Sequence, residues 1–204
     1  MEYGLNDINP YVVHCGYMDE ENCPPPGTHF GRRRVKWFEL ELMLWGEGHI
    51  ITEEKPLSTE KGSLFFRTPG MIADGVSPYK CFMVCFDAVT DKARQRDYEM
   101  GNKFDLAPEE ESLQGLPYIK KVEGLDLPHA MKVANLERYR VIFDRMHTEF
   151  LASDTKNQFL LKALLLQLLT MAVEEWSNVS KKHSTSRSIR NNYPRIIRVK
   201  AYMD

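Results

Sequence analysis

Cysteine is scarce in this chain. Four residues in 204, Cys15, Cys23, Cys81 and Cys85, are too few for the disulfide framework that holds small secreted domains together. Cys81 and Cys85 fall in "CFMVC", where a strand would set them about 13 Å apart, beyond disulfide reach. The thiols therefore read as free and buried, with redox or metal roles the lesser alternative. Long apolar runs are missing too: the longest, about 159–173, is broken by Lys162, Gln167 and Thr170 and is short for a bilayer. The opening "MEYGLNDINPYVV" lacks the basic head, apolar core and cleavage site of a signal peptide. A soluble cytoplasmic protein with no membrane partner is expected. Nor is there an excess of one charge: 27 Lys and Arg against 29 Asp and Glu leave a net −2, which gives the whole chain no bulk attraction to nucleic acid.

Catalytic signatures are equally thin. The histidines, His14, His29, His49, His129, His147 and His183, are scattered, whereas a mononuclear metal site needs about three or four converging ligands. There is no G-x-S-x-G elbow and no phosphate-cradling glycine loop; "GEG" at 46–48 and "PG" at 69–70 read as turns. Pairing Cys81 or Cys85 with a distant His is open to any chain of this composition. We expect a protein that is not an enzyme and carries no metal or cofactor.

What is present divides by period. Up to about residue 90, short strand-like runs appear: "YVVHCGY" (11–17), "RVKWFELELML" (34–44), "HIIT" (49–52), "SLFFR" (63–67) and "YKCFMVCFD" (79–87). Turn residues at Gly46, Gly48, Gly62, Gly70 and Pro78 separate them, which argues for an antiparallel sandwich or small barrel. Within 34–45, Phe38, Leu40, Leu42 and Leu44 share one face and Trp37, Glu39, Glu41, Met43 and Trp45 the other. The first face is core. The second suits solvent or the wall of a polar cavity, and solvent is preferred for the two glutamates.

Residues 92–134 are charged and loop-like, with Pro108, Pro117 and Pro128 limiting helices. The period then changes: Leu136, Tyr139, Phe143, Met146 and Phe150 follow helical spacing behind Asn135 as N-cap. A second helix, about 156–177, is apolar almost all round and needs two surfaces to bury against. One is its own domain; for the other a second copy is expected, so that Leu161, Leu164, Leu165 and Leu168 would mediate a homodimer. After Trp176, "SNVSKKHSTSRS" reads as a polar linker. The closing "NNYPRIIRVKAYMD" reads as a new helix opening at Pro194. Seven Lys and Arg between 181 and 200 face no acid in that stretch; a solvated face and phosphate contact both remain open.

The order of these pieces resembles the N-terminal sensing domain of AraC-family transcriptional regulators. The text that carries the likeness is "RRRVKWFELELMLWGEGHI", "KGSLFFRTPGMIADG" and "YKCFMVCFD", followed by "NLERYRVIFDRMHTEFL", "LLKALLLQLLTMAVEEW" and "SIRNNYPRIIRVKAYMD". Ser63 stands where the family has Asp after glycine, and Ala73 and Asp74 lie where it has a His. The resemblance implies an α+β fold: an antiparallel cupin-like β-barrel, a double-stranded β-helix or jelly roll, then two packed helices and the start of a third. The expected units are 1–130 as sensing barrel, 131–180 as helical dimerisation unit, and 181–204 as linker and first helix of a truncated DNA-binding domain. The implied function is ligand-responsive transcription regulation, with DNA met only through that missing domain. Placed on the family pattern, Arg32 or Arg34 would anchor an acid or hydroxyl, Trp37 would stack on a ring, and Asp74, Tyr79, Cys81 and Met83 would line the mouth and wall. The effector would be a sugar or an organic acid. A stand-alone cupin-type binder or enzyme is the other reading.

Overall fold

Alternating apolar residues carry the first ninety positions into strands, and the change to a period near 3.6 marks the passage to helices. A computed structural model describes residues 3–52, 55–100, 121–152 and 157–200, with 182–200 as backbone alone. Its strands are β1 (Tyr3–Gly4), β2 (Tyr11–Met18), β3 (Arg33–Arg34), β4 (Phe38–Gly46), β5 (His49–Thr52), β6 (Pro56–Ser58), β7 (Ser63–Arg67), β8 (Ile72–Val76), β9 (Tyr79–Asp87), β10 (Val122–Glu123) and β11 (Ala130–Lys132). The helices are α1 (Gln95–Met100), α2 (Leu136–Ala152) and α3 (Gln158–Lys200). The sequence readings at 101–120, including Pro108 and Pro117, and at 201–204 lie outside the described residues.

Two antiparallel sheets face each other. One has the order β11-β7-β4-β9-β2, the other β3-β8-β5-β6. Strand pairing is continuous within each of these sheets and joins neither to the other among the described residues, so the expected barrel is seen as a two-layer antiparallel arrangement. The stretch read as one strand over 34–44 is in fact two. Arg33 and Arg34 pair with Ala73 and Ile72 of β8, while Phe38 begins the ladder with β9. Residues 35–37 cross from one sheet to the other, and this crossover brings Arg33 opposite Glu39.

Close backbone approach explains one glycine that the sequence offered only as a turn. A side chain on Gly48 would overlap the Val76 carbonyl, so the β4–β5 corner closes only without a Cβ.

The outer face of the larger sheet carries the core. Leu40, Leu42, Leu64, Phe66, Phe82 and Val84 meet Phe143 and Met146 of α2 and Leu161, Leu165 and Leu168 of α3 in one cluster. Each such side chain contributes about 1.5–3 kcal/mol on leaving water. Asn135 Oδ1 accepts the Arg138 N–H at 3.2 Å and Asn157 Oδ1 accepts the Leu160 N–H at 3.2 Å, so both helices start on side-chain caps.

Two expectations about α3 change. Leu161, Leu164, Leu165 and Leu168 are buried in the chain's own core, at 0–6% exposure, so the face they share is covered by the chain itself. The stretch 177–188, read as a linker, is helical, and α3 runs unbroken for 43 residues. Ser and Lys without a Gly or Pro supply no stop signal there. The expected boundary at residue 181 therefore falls within one helix. Among the described residues, no helix is long and apolar enough to cross a membrane.

Candidate functional site

Period two sends Glu39, Glu41 and Met43 of β4 inward, together with Phe65 and Arg67 of β7 and Cys81 and Met83 of β9. These inner faces border a cavity of about 440 Å³ between the sheets. Its rim includes Tyr17 and Asn22, both exposed, and its floor includes Glu41, Arg67 and Cys81, all buried. Phe30, Ile50, Tyr79 and Met83 supply apolar wall.

The floor is a charge-balanced network. Glu39 and Arg67 are register partners on β4 and β7, and Arg67 Nη1 donates to Glu39 Oε2 at 2.5 Å. Arg33 Nη2 reaches the same carboxylate from the other sheet, at 2.9 and 3.2 Å from its two oxygens. The second amino group of Arg67 donates to Glu41, and the Cys81 thiol donates to Glu41 Oε1 at 3.2 Å. Among the described residues, two guanidinium groups thus face two carboxylates. Arg67 Nε, buried, has no hydrogen-bond partner among the described residues.

Burial alone would raise the Glu39 carboxyl, but Arg33 and Arg67 outweigh it and hold the group below the usual carboxylate range. The same balance keeps Arg67 charged: burial works against the cation, and Glu41 and Glu39 more than offset it. Burial, then Glu41, pushes the Cys81 thiol well up, and burial followed by Glu41 raises the Tyr79 phenol. Both stay protonated, so they can present an S–H and an O–H.

The sequence-predicted residues scatter on this map. Tyr79, Cys81 and Met83 line the cavity. Arg32 is exposed, and Arg34, one position out of phase with Arg33, donates from Nη1 to the Gly70 carbonyl at 2.8 Å. Neither Arg32 nor Arg34 is on the lining; strand alternation puts Arg33 there instead. Trp37 is fully buried in a separate cluster with Val13, Cys85 and Tyr98, with Lys36 Nζ 5.1 Å from its ring centroid, and so is closed to stacking on a ligand. Asp74 is occupied by the chain itself, pairing with His29 Nδ1 at 2.6 Å and accepting the Gly31 N–H at 3.1 Å.

Sequence reasoning left Arg33 and Arg67 out of the site and weighed Glu39 and Glu41 between solvent and a cavity wall, preferring solvent. The solvent preference for the two glutamates is corrected: they are 0% and 4% exposed, because opposing arginines on β3 and β7 neutralise them. The signal was available in part, since Phe65 and Arg67 alternate on β7 as Glu39 and Glu41 do on β4.

A second buried group lies where α1 packs on β2. Arg94 Nη1 donates to Asp87 Oδ2 at 2.6 Å, and the Tyr98 hydroxyl donates to the same oxygen at 2.8 Å. Burial wins here, and the Asp87 carboxyl is raised despite those two donors. The Tyr98 ring stacks on Tyr11 at 4.1 Å; this group has the character of a structural cap. Among the described residues, no three His, Cys, Asp or Glu side chains converge as a metal-binding set.

No family model and no curated protein matches the chain. Solved structures of oxalate decarboxylase from Bacillus subtilis, a cupin fold, overlap it weakly. One aligns 47% of this chain with 31% of that one at 14% identity and a TM-score of 0.28. An arginine-to-alanine variant aligns 68% with 44% at 12% identity and the same TM-score. The chain thus spans less than half the length of those enzymes, and the two-sheet arrangement rests on its own strand pairing. The solved structures that overlap are those of an enzyme, so the expectation that the protein is not an enzyme is withdrawn.

Proposed function

We propose that the cavity binds a small, uncharged ligand rich in hydroxyl groups, a sugar in class. One observation carries this: among the described residues the floor presents guanidinium and carboxylate groups that are paired with one another and balanced in charge. A hydroxyl both donates and accepts, so it can join such a network without disturbing its charge. An organic acid would leave one negative charge unmatched beside a floor whose carboxylates and guanidinium groups already balance, which argues against the other effector class the sequence allows. Aromatic and thioether walls at Phe30, Tyr79 and Met83 suit the apolar faces of a ring.

The order of sequence motifs supports a finer reading, that of an effector-sensing unit in an AraC-type regulator acting as a homodimer. In physical terms, the ligand must bind one arrangement of the chain better than another, and that difference sets the switch. DNA contact would come through residues outside this chain. The 204 residues alone should then show no specific submicromolar DNA binding in a gel shift.

A thermal-shift screen over neutral sugars and organic acids tests the cavity. At 100 times its dissociation constant a ligand should stabilise by about 2.7 kcal/mol, and Arg33→Ala or Glu41→Gln should abolish the shift. Hits confined to acids, or a sugar shift that survives Glu41→Gln, would refute the proposal.

A further inference from the structure

We propose that residues 28–30 form a gate over the cavity, with the Phe30 ring as its plug and Asp74 as its latch. The inference rests on the cavity being a binding site, but its test does not need the ligand.

The segment precedes β3 and continues along the same side of β8, against Gly75–Ser77, as a short strap. The Gly27 N–H donates to the Ser77 carbonyl at 2.9 Å, the Ser77 N–H to the Thr28 carbonyl at 3.0 Å, and the Phe30 N–H to the Gly75 carbonyl at 2.8 Å. His29 forms an isolated antiparallel bridge to Val76. The strap is bracketed by Gly27 and Gly31, whose φ angles of 81° and 101° lie where other residues are strained. Nothing stands within 4 Å of a Cβ added at either position. Their conformation is therefore a property of the backbone path, not of crowding, and they are natural pivots.

Asp74 holds both sides of the plug. One carboxylate oxygen binds His29 and the other binds the Gly31 N–H, the two residues flanking Phe30. The Phe30 ring lines the cavity and packs on Tyr79 at 5.5 Å between centroids. The seat is made by Gly75: a Cβ there would come within 2.9 Å of the Phe30 ring and would overlap the Tyr79 hydroxyl. His29 itself is 58% exposed, so half of the latch can be removed without opening the core. Peeling the strap from β8 would withdraw Phe30 from the lining, a local opening of the kind that sheet edges undergo well below the cost of global unfolding.

Cysteine chemistry reads this directly. Cys81 lies inside the cavity, whereas Cys85, equally buried, sits with Val13, Trp37 and Tyr98 outside it. Labelling of the full chain by N-ethylmaleimide, resolved by site with mass spectrometry, should be slow at both positions in the parent protein. Asp74→Ala should speed Cys81 labelling by about tenfold, the factor expected from losing a charge-assisted hydrogen bond. Phe30→Ala should do so at least as strongly, and His29→Ala less. Cys85 labelling should stay within about twofold, since it follows global opening. Equal acceleration at Cys81 and Cys85 in all three variants, or no acceleration at Cys81 in any, would overturn the gate. A ligand screen without sugar hits would sink the binding proposal and leave this result standing.

Discussion

Glu39 and Arg67 are directly opposite each other in the β4–β7 ladder, and their side chains meet at 2.5 Å with almost no solvent access. Arg67 bridges Glu39 and Glu41, so removing it takes an ion-pair partner from the buried Glu41 and leaves Glu39 with Arg33. Arg67→Met is expected to lower unfolding stability by about 3–5 kcal/mol. Arg140→Ala, which gives up a solvent-exposed ion pair with Glu137, should cost far less. Urea denaturation of both variants checks the contrast.

Acid should separate two buried carboxylates by sign. Glu39 is depressed in the folded chain, so its stabilisation is present above the unfolded pKa and is lost as pH falls through the folded one. Asp87 is raised, so its contribution runs the other way: stability declines as pH rises from the ordinary carboxylate value to the elevated one. Glu39→Gln should flatten the stability profile below about pH 4, and Asp87→Asn should steepen it just above that value. Chemical denaturation at a series of pH values distinguishes the two.

The inner and outer faces of α3 should respond differently to change. Leu165 is wholly buried against the sheet, so Leu165→Ala is expected to cost about 2–5 kcal/mol without altering the sedimentation coefficient. Leu166, one position on and 38% exposed, should tolerate Leu166→Glu to within about 0.5 kcal/mol of monomer stability. A second copy docking on α3 could meet only that outer side, where Phe159 is also exposed. Sedimentation together with urea midpoints reads both effects.

Gly48 is fixed by the Val76 backbone, which cannot move aside as a flexible side chain would. Gly48→Ala should therefore destabilise the chain by about 1–3 kcal/mol. Gly27→Ala would test backbone strain alone, because its added Cβ meets nothing. Thermal melts of the pair separate crowding from conformation.

Strand runs with clean alternation were legible in the sequence. "YKCFMVCFD" became β9 over its whole length, and Leu40 and Leu42 took the core face their spacing gives them. Short edge strands escaped: β6 is three residues and opens on Pro56, and β11 pairs with β7 across 64 intervening residues, from 130 back to 65. Such pairings are set by tertiary contact and leave no local period. The site was half legible for a related reason. Alternation places Glu39 and Glu41 on one face, but whether that face meets water or a counter-charge depends on Arg67 and on Arg33, and the latter reaches Glu39 only because 35–37 crosses between sheets. Arg33 and Arg34 differ by one step, which in a strand is the difference between the cavity and the outside.

The unbroken course of α3 also has a mechanical meaning. A helix of 43 residues is about 65 Å long at 1.5 Å per residue, about two and a half times the stretch from Leu160 to Trp176 that packs on the core. The 24 residues after Trp176 are helical rather than slack and extend about 36 Å, so a tilt of about 5° where the helix leaves the core would carry its far end about 3 Å. Small repacking against Leu161 or Leu165 is thereby magnified in distance rather than absorbed along the way.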